Sequence, residues 1–209
     1  MRILKVKGEG KTTFSPNLVV INFTITVKDY NYDQAINELN YKTDILKQDI
    51  KKANFSRDDL KTVNFYIDTD YKRQNNENLF LGYKAVHELK LQFSFEKNIL
   101  NNLLRIISNS KSEASFRISF ELEDKFSLKN EALANAVNNT KNNALIIANS
   151  AGIKLGKILN IYYSEQMEPF YETLQVETFS LKSSNIDIVP EDLEINEEVV
   201  IEFEIEDLL

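Results

Sequence analysis

The sequence predicts an α+β fold in which antiparallel sheets carry three helices, in the order ββα-ββα-βα-βββ. Three observations carry that prediction. Apolar and polar residues alternate over Leu18 to Val27, the period of a half-buried strand. Over Tyr32 to Ala53 apolar residues recur instead at steps of three and four, the period of a helix with one buried stripe. Strands also follow one another in pairs rather than alternating singly with helices, which favours hairpins and antiparallel sheets over a doubly wound parallel sheet. With 209 residues, 43% of them hydrophobic and 11% aromatic, the chain can bury a substantial core. It reads as one domain over residues 1–209, and the compositional break nearest to a subdomain boundary lies around residues 123–127.

Taken in order, Ile3 to Lys7 is a short strand, and Gly8-Glu9-Gly10 with Ser15-Pro16-Asn17 punctuates the way to the next. In that second strand Val19, Ile21, Phe23, Ile25 and Val27 share a face. The first helix carries Ile36, Leu39, Thr43, Leu46, Ile50 and Ala53 on one stripe. Strands Lys61 to Tyr71 and Leu79 to Phe95 are joined by the polar stretch Arg73 to Asn78, a hairpin tip. Tyr83, Ala85, His87, Leu89, Leu91, Phe93 and Phe95 line one side of the second of them.

A helix over Asn98 to Ser108, with Ile99, Leu103, Ile106 and Ile107 on one side, precedes a strand over Ala114 to Leu122. The longest helix runs from about Ser127 to Ala151, with Asp124 or Ser127 as its cap and Gly152 as its left-handed stop. Its apolar side, Leu133, Ala136, Val137, Thr140, Ala144, Ile147, Ala148 and Ala151, is rich in alanine and permits close approach to a sheet. Strands over Lys157 to Glu165, Thr173 to Leu181 and Glu194 to Ile205 close the chain.

Composition removes several chemistries. No cysteine is present, so disulfides, thiol nucleophiles and cysteine zinc sites are excluded, and the single histidine leaves oxygen ligands alone for any metal. The net charge of −7 is concentrated: residues 191–209 hold nine carboxylates and no base, which leaves residues 1–190 at about +2. Bases are scattered rather than striped, so a phosphate backbone is not an expected partner. No apolar run approaches the ~18 residues of a spanning helix. The first residues lack the apolar segment of a secretion signal, and the expected location is the cytoplasm.

Each candidate site has a plain alternative. Gly8-Glu9-Gly10-Lys11-Thr12 resembles the end of a phosphate-binding loop, yet Lys5 stands where the motif needs its first glycine, and a strand follows rather than a helix. The two glycines are expected to shape a strand end or a bulge. His87 lies on a mainly apolar face and reads as a hydrogen-bonded structural histidine, although any imidazole-dependent hydrolysis would have to pass through it. No Gly-x-Ser-x-Gly elbow accompanies it. Tyr162, Tyr163, Phe170 and Tyr171 cluster around Pro169, where they line an interface or ligand groove, or cap the core under a loop. In the last strand Val199, Ile201, Phe203 and Ile205 alternate with Glu198, Val200, Glu202, Glu204 and Glu206. That acidic face is either a solvated edge that resists wrong pairing or a docking strip for a basic protein.

Short signatures in a fixed order cover nearly the whole chain: Val6-Lys7-Gly8-Glu9-Gly10 with Pro16-Asn17, Asp58 to Thr62 leading to Tyr71, and Gly82-Tyr83-Lys84-Ala85. Glu131-Ala132, Ala136-Val137, Lys141, Ala144, Ala148 and Gly152 to Ile158 complete the set. Together they resemble the SIMPL-domain family, a bacterial group that includes a periplasmic immunogenic antigen and a member linked to oxidative-stress defence. Many members carry a secretion signal. The resemblance implies an α+β fold, a tendency to self-assemble that at least one member shows, and a loosely defined stress or signalling role, with no catalytic residues to carry over. The expected function is therefore a non-enzymatic, self-associating scaffold without cofactor or metal, its surfaces being the aromatic cluster (Tyr162, Tyr163, Phe170, Tyr171) and Glu202 and Glu204 of the acidic strand. A small-molecule or peptide binding module is the alternative.

Overall fold

The computed structural model describes residues 2–74, 77–164 and 188–207. Its elements are β1 (Arg2–Phe14), β2 (Leu18–Asp29), α1 (Tyr32–Lys52), a short 3-10 helix (Arg57–Asp59), β3 (Lys61–Gln74), β4 (Glu77–Ser94), α2 (Lys97–Ile107), β5 (Ser115–Glu121), α3 (Lys125–Ser150), β6 (Ile153–Tyr162) and β7 (Leu193–Asp207). The fold is α+β: three helices and two antiparallel sheets, of strand orders β3-β4-β2-β5 and β1-β7-β6. The expected strand over Thr173 to Leu181 lies outside the described residues, as do Asn75 and Asn76 of the expected hairpin tip.

The chain forms two compact units: among the described residues, one holds 2–16, 122–164 and 191–207, and the other holds 17–74, 77–121 and 188–190. In the unit built on β2 to β5, the alternation in β2 does what its period requires. Val19, Ile21, Phe23, Ile25 and Val27 turn inward with Ala85, Leu89 and Leu91 of β4 and Ile118 and Phe120 of β5, and Leu39, Leu46, Ile50, Leu100 and Leu103 of α1 and α2 join them. Burying each of the larger of these side chains contributes roughly 1.5–3 kcal/mol. The stripe of α1 is displaced slightly from expectation, with Ala35 rather than Ile36 buried. Asn31 starts that helix by accepting from the Gln34 amide.

In the other unit α3 lies on the β1-β7-β6 sheet. Asp124 caps it by accepting from the Ser127 amide at 3.0 Å, and Gly152 ends its terminal turn at φ 66°. The buried stripe is Ala132, Ala136, Thr140, Ala144 and Ala148. Ile147 and Ala151, expected on that stripe, are exposed, because a spacing of four along the helix keeps the stripe narrow. β1 also differs from expectation: Gly8 and Gly10 do not end a strand but lie inside one that runs unbroken to Phe14. They are there for the helix. A Cβ on Gly8 would stand 2.5 Å from the Thr140 amide nitrogen and 2.7 Å from the Ala136 carbonyl oxygen. On Gly10 it would run into the Ala132 carbonyl and lie 2.9 Å from the Ala136 Cα. The Thr140 hydroxyl, buried at this contact, donates to the Ala136 carbonyl at 2.8 Å. Val6, Val199, Ile201 and Phe203 complete the small core.

This packing sets two glycines apart from a third. Gly10→Ala should lower the free energy of unfolding by about 3 kcal/mol, the upper range for over-packing a rigid contact. Gly152→Ala, whose added carbon meets nothing within 4 Å, should lose only about 1 kcal/mol from its left-handed backbone. Denaturant titration followed by circular dichroism compares the two.

Candidate functional site

The acidic strand is not an edge. β7 is the central strand of its sheet, flanked by β1 and β6. The reading of its carboxylates as a solvated edge is thereby corrected: the chain's bases lie beside them. Residues directly opposite in an antiparallel pair share a face, and β1 sets Lys5 against Glu202, Lys7 against Val200 and Lys11 against Asn196. Lys7 bonds Glu198 at 2.6 Å, Lys11 bonds Glu194 at 2.8 Å and Lys5 reaches Glu202 at 3.3 Å. From the other side, Lys154 bonds Glu206 at 2.9 Å and Lys157 lies 3.7 Å from Glu204. A basic partner approaching this face would meet ion pairs rather than a bare acidic strip. Hydrogen bonds from Lys11 and then from Asn196 hold Glu194 below the ordinary carboxylate range. The bond to Glu194 raises Lys11, and bonds to Glu198 and Glu9 raise Lys7.

Glu202 is the most heavily bonded of these carboxylates. Asn160 donates to it at 2.8 Å, the Tyr162 hydroxyl donates at 3.1 Å, and Lys5 sits 4.9 Å from the centre of the Tyr162 ring. The Asn160 bond, then Lys5 and Tyr162, lower its pKa against an opposing cost of desolvation. The structure thus brings together Tyr162 and Glu202, two of the residues singled out from sequence. Glu204 is placed with Lys157 instead, and Tyr163 follows directly after β6. Phe170 and Tyr171 lie outside the described residues.

The two outer strands of this sheet are finished differently. At β1 the outward backbone is met by α3: Asn139 accepts from the Glu9 amide at 3.3 Å and Asn135 donates to the Lys11 carbonyl at 3.4 Å. At β6, no strand among the described residues pairs on the side away from β7. Its later half, Ile158-Leu159-Asn160-Ile161-Tyr162, carries no charge, and Ile158, Ile161 and Tyr162 are 41%, 57% and 49% exposed. The two isoleucines were not singled out from sequence. The available signal was the uncharged run itself. β6 also begins at Ile153 rather than at the expected Lys157, and its register against β7 shifts on either side of Ile158.

His87 lies in the other unit and is a core residue. Its Nδ1 is 3.1 Å from the Thr43 hydroxyl, its Nε2 is 2.9 Å from the Thr62 hydroxyl, and its ring meets Phe65 at 5.3 Å. Among the described residues, no three His, Asp or Glu side chains converge as a metal site would require, and no helix is long and apolar enough to cross a membrane.

An α+β chain whose two antiparallel sheets carry three helices, with a glycine-bearing first strand packed on an alanine-striped helix, defines the class. The family model of SIMPL, a protein of unknown function (DUF541), matches residues 4–203, and the chain belongs to the SIMPL family. No curated protein matches it.

The carboxylates give a pH dependence with a definite sign. Glu202 titrates below its ordinary value of 4.5 in the folded chain, so the stability it contributes is present above that value and is lost as the pH falls below it. Glu202→Gln should therefore flatten the acid limb of the unfolding midpoint between about pH 5 and about pH 3. Thermal melts of both proteins across that range check it.

Proposed function

We propose that this SIMPL protein is a non-enzymatic, self-associating module, a scaffold in a stress or signalling setting, and that copies join through the outer edge of β6. The observation that carries this reading is the contrast between the two edges of one sheet. An open edge presents unpaired amides and carbonyls and is ordinarily blunted by charge or by cover. β1 has both, with Lys5, Lys7 and Lys11 along it and Asn135 and Asn139 bonded to its backbone. The later half of β6 has neither among the described residues, and its exposed isoleucines offer apolar area to a second chain. Engagement of both ring nitrogens of His87 by threonine hydroxyls supports the non-enzymatic part, since that ring is occupied in the core.

Light scattering after size exclusion tests the proposal. The wild type should run as a multiple of the 24.2 kDa chain, and Ile161→Lys, which places a charge on the exposed edge, should shift the population to monomer with an unchanged circular dichroism spectrum. An oligomer of unaltered mass in Ile161→Lys would remove β6 as the contact. A wild type that is monomeric at every concentration would move the reading to a module that takes an extended peptide on the same edge.

A further inference from the structure

The β3-β4-β2-β5 sheet has an outer strand of its own, and one side chain ties it to a helix. Among the described residues β3 pairs only with β4, and its register breaks between Thr62 and Asn64. At that break, His87 of β4 stands opposite Phe65 of β3 and Ile25 of β2. Its ring spans two elements, with Nδ1 on Thr43 of α1 at 3.1 Å and Nε2 on Thr62 of β3 at 2.9 Å. Thr43 and His87 are buried. β3 is thus fixed to α1 through an imidazole rather than through apolar packing alone, and Val63 within the break and Phe65 just beyond it are exposed.

We propose that His87 is a pH-sensitive latch, and that protonating its ring loosens β3 from α1 and opens that edge of the sheet. The chemistry follows from the donor count. A neutral imidazole donates from one nitrogen and accepts at the other, and a threonine hydroxyl can answer either role. An imidazolium donates from both, so both hydroxyls must accept: exposed Thr62 can turn its proton to solvent, whereas Thr43 must turn its own elsewhere within the core. The groups around the ring do not neutralise it. Lys47 of α1 is the charged group that acts on it, Thr62 and Phe65 face it from β3, and Ile25 stands opposite on β2. Burial first, and Lys47 second, hold the ring below its ordinary value of 6.5. A group depressed in this way favours the neutral folded form, so the stability it gives is present above 6.5 and is lost as the pH falls below that value. The latch is independent of the β6 contact, since it lies in the other unit and invokes none of the residues of that edge.

The single histidine of the sequence makes the test direct. Amide hydrogen exchange, corrected for intrinsic rates, is followed at residues 62–67 of β3 and at β2 between about pH 7 and about pH 5, while NMR follows the one imidazole resonance. Protection at β3 should fall several-fold more than at β2, with a midpoint matching that of the imidazole. His87→Gln, which keeps a side chain able to bond Thr62, should make β3 protection independent of pH over this range. Unchanged protection of β3 while the imidazole titrates would overturn the latch, as would a pH dependence that persists in His87→Gln. The wild-type comparison stands by itself should the variant fail to fold.

Discussion

The approach of α3 to β1 governs the unit built on the β1-β7-β6 sheet. Helices ordinarily rest on sheets through branched apolar side chains, but here a glycine pair meets an alanine stripe, and backbone lies against backbone. The space left is smaller than a methyl group. This draws the helix toward one side of the sheet, where Asn135 and Asn139 reach the β1 backbone. Ile158 and Ile161 of β6, on the far side of β7, remain exposed. Among the described residues, the cover on one edge and its absence on the other therefore share a cause.

A second constraint is electrostatic. A strand with a carboxylate at nearly every outward position cannot lie in the middle of a sheet unless its neighbours supply bases in register. β1 and β6 do so, and the pairs are exposed enough that each contributes little alone. Their service is to specify: a shift of β1 by one residue would turn its lysines toward α3 and its glycines away from it. Steric fit on one face and charge on the other select the same register.

Much of the fold is legible along the chain because it is local. The alternation in β2 and β4, the stripe of α1, the cap at Asp124 and the stop at Gly152 each need only a few neighbouring residues. The alanine-rich face of α3 likewise announces a close approach. The strand that accepts it is a different matter, since Gly8 and Gly10 read locally as punctuation, and only the helix brought over them gives them a role inside a strand. The acidic strand misleads for a related reason. Alternating carboxylates describe an edge until lysines from opposite ends of the sequence are set beside them. The link of Tyr162 to Glu202 is of the same kind, carried by β6 lying next to β7 rather than by any motif. The bond of His87 to Thr62 depends on strand pairing, whereas that to Thr43 depends on how α1 lies across the sheet.

The pairing of Arg2 with Ile205 and of Phe14 with Leu193 bears on how the molecule comes to be. A ribosome delivers β1 first and β7 last among the described strands, so β1 waits without its partner for almost the whole of synthesis. Meanwhile the strands and helices of residues 17–121 emerge with most of their mutual neighbours close in sequence, and can form early. Closure of the β1-β7-β6 unit is then the late event, delayed by the entropy of a loop that contains residues 17–121. During that interval α3 has emerged with its alanine stripe uncovered by β7, so the close glycine–alanine contact forms before the strand that completes its sheet.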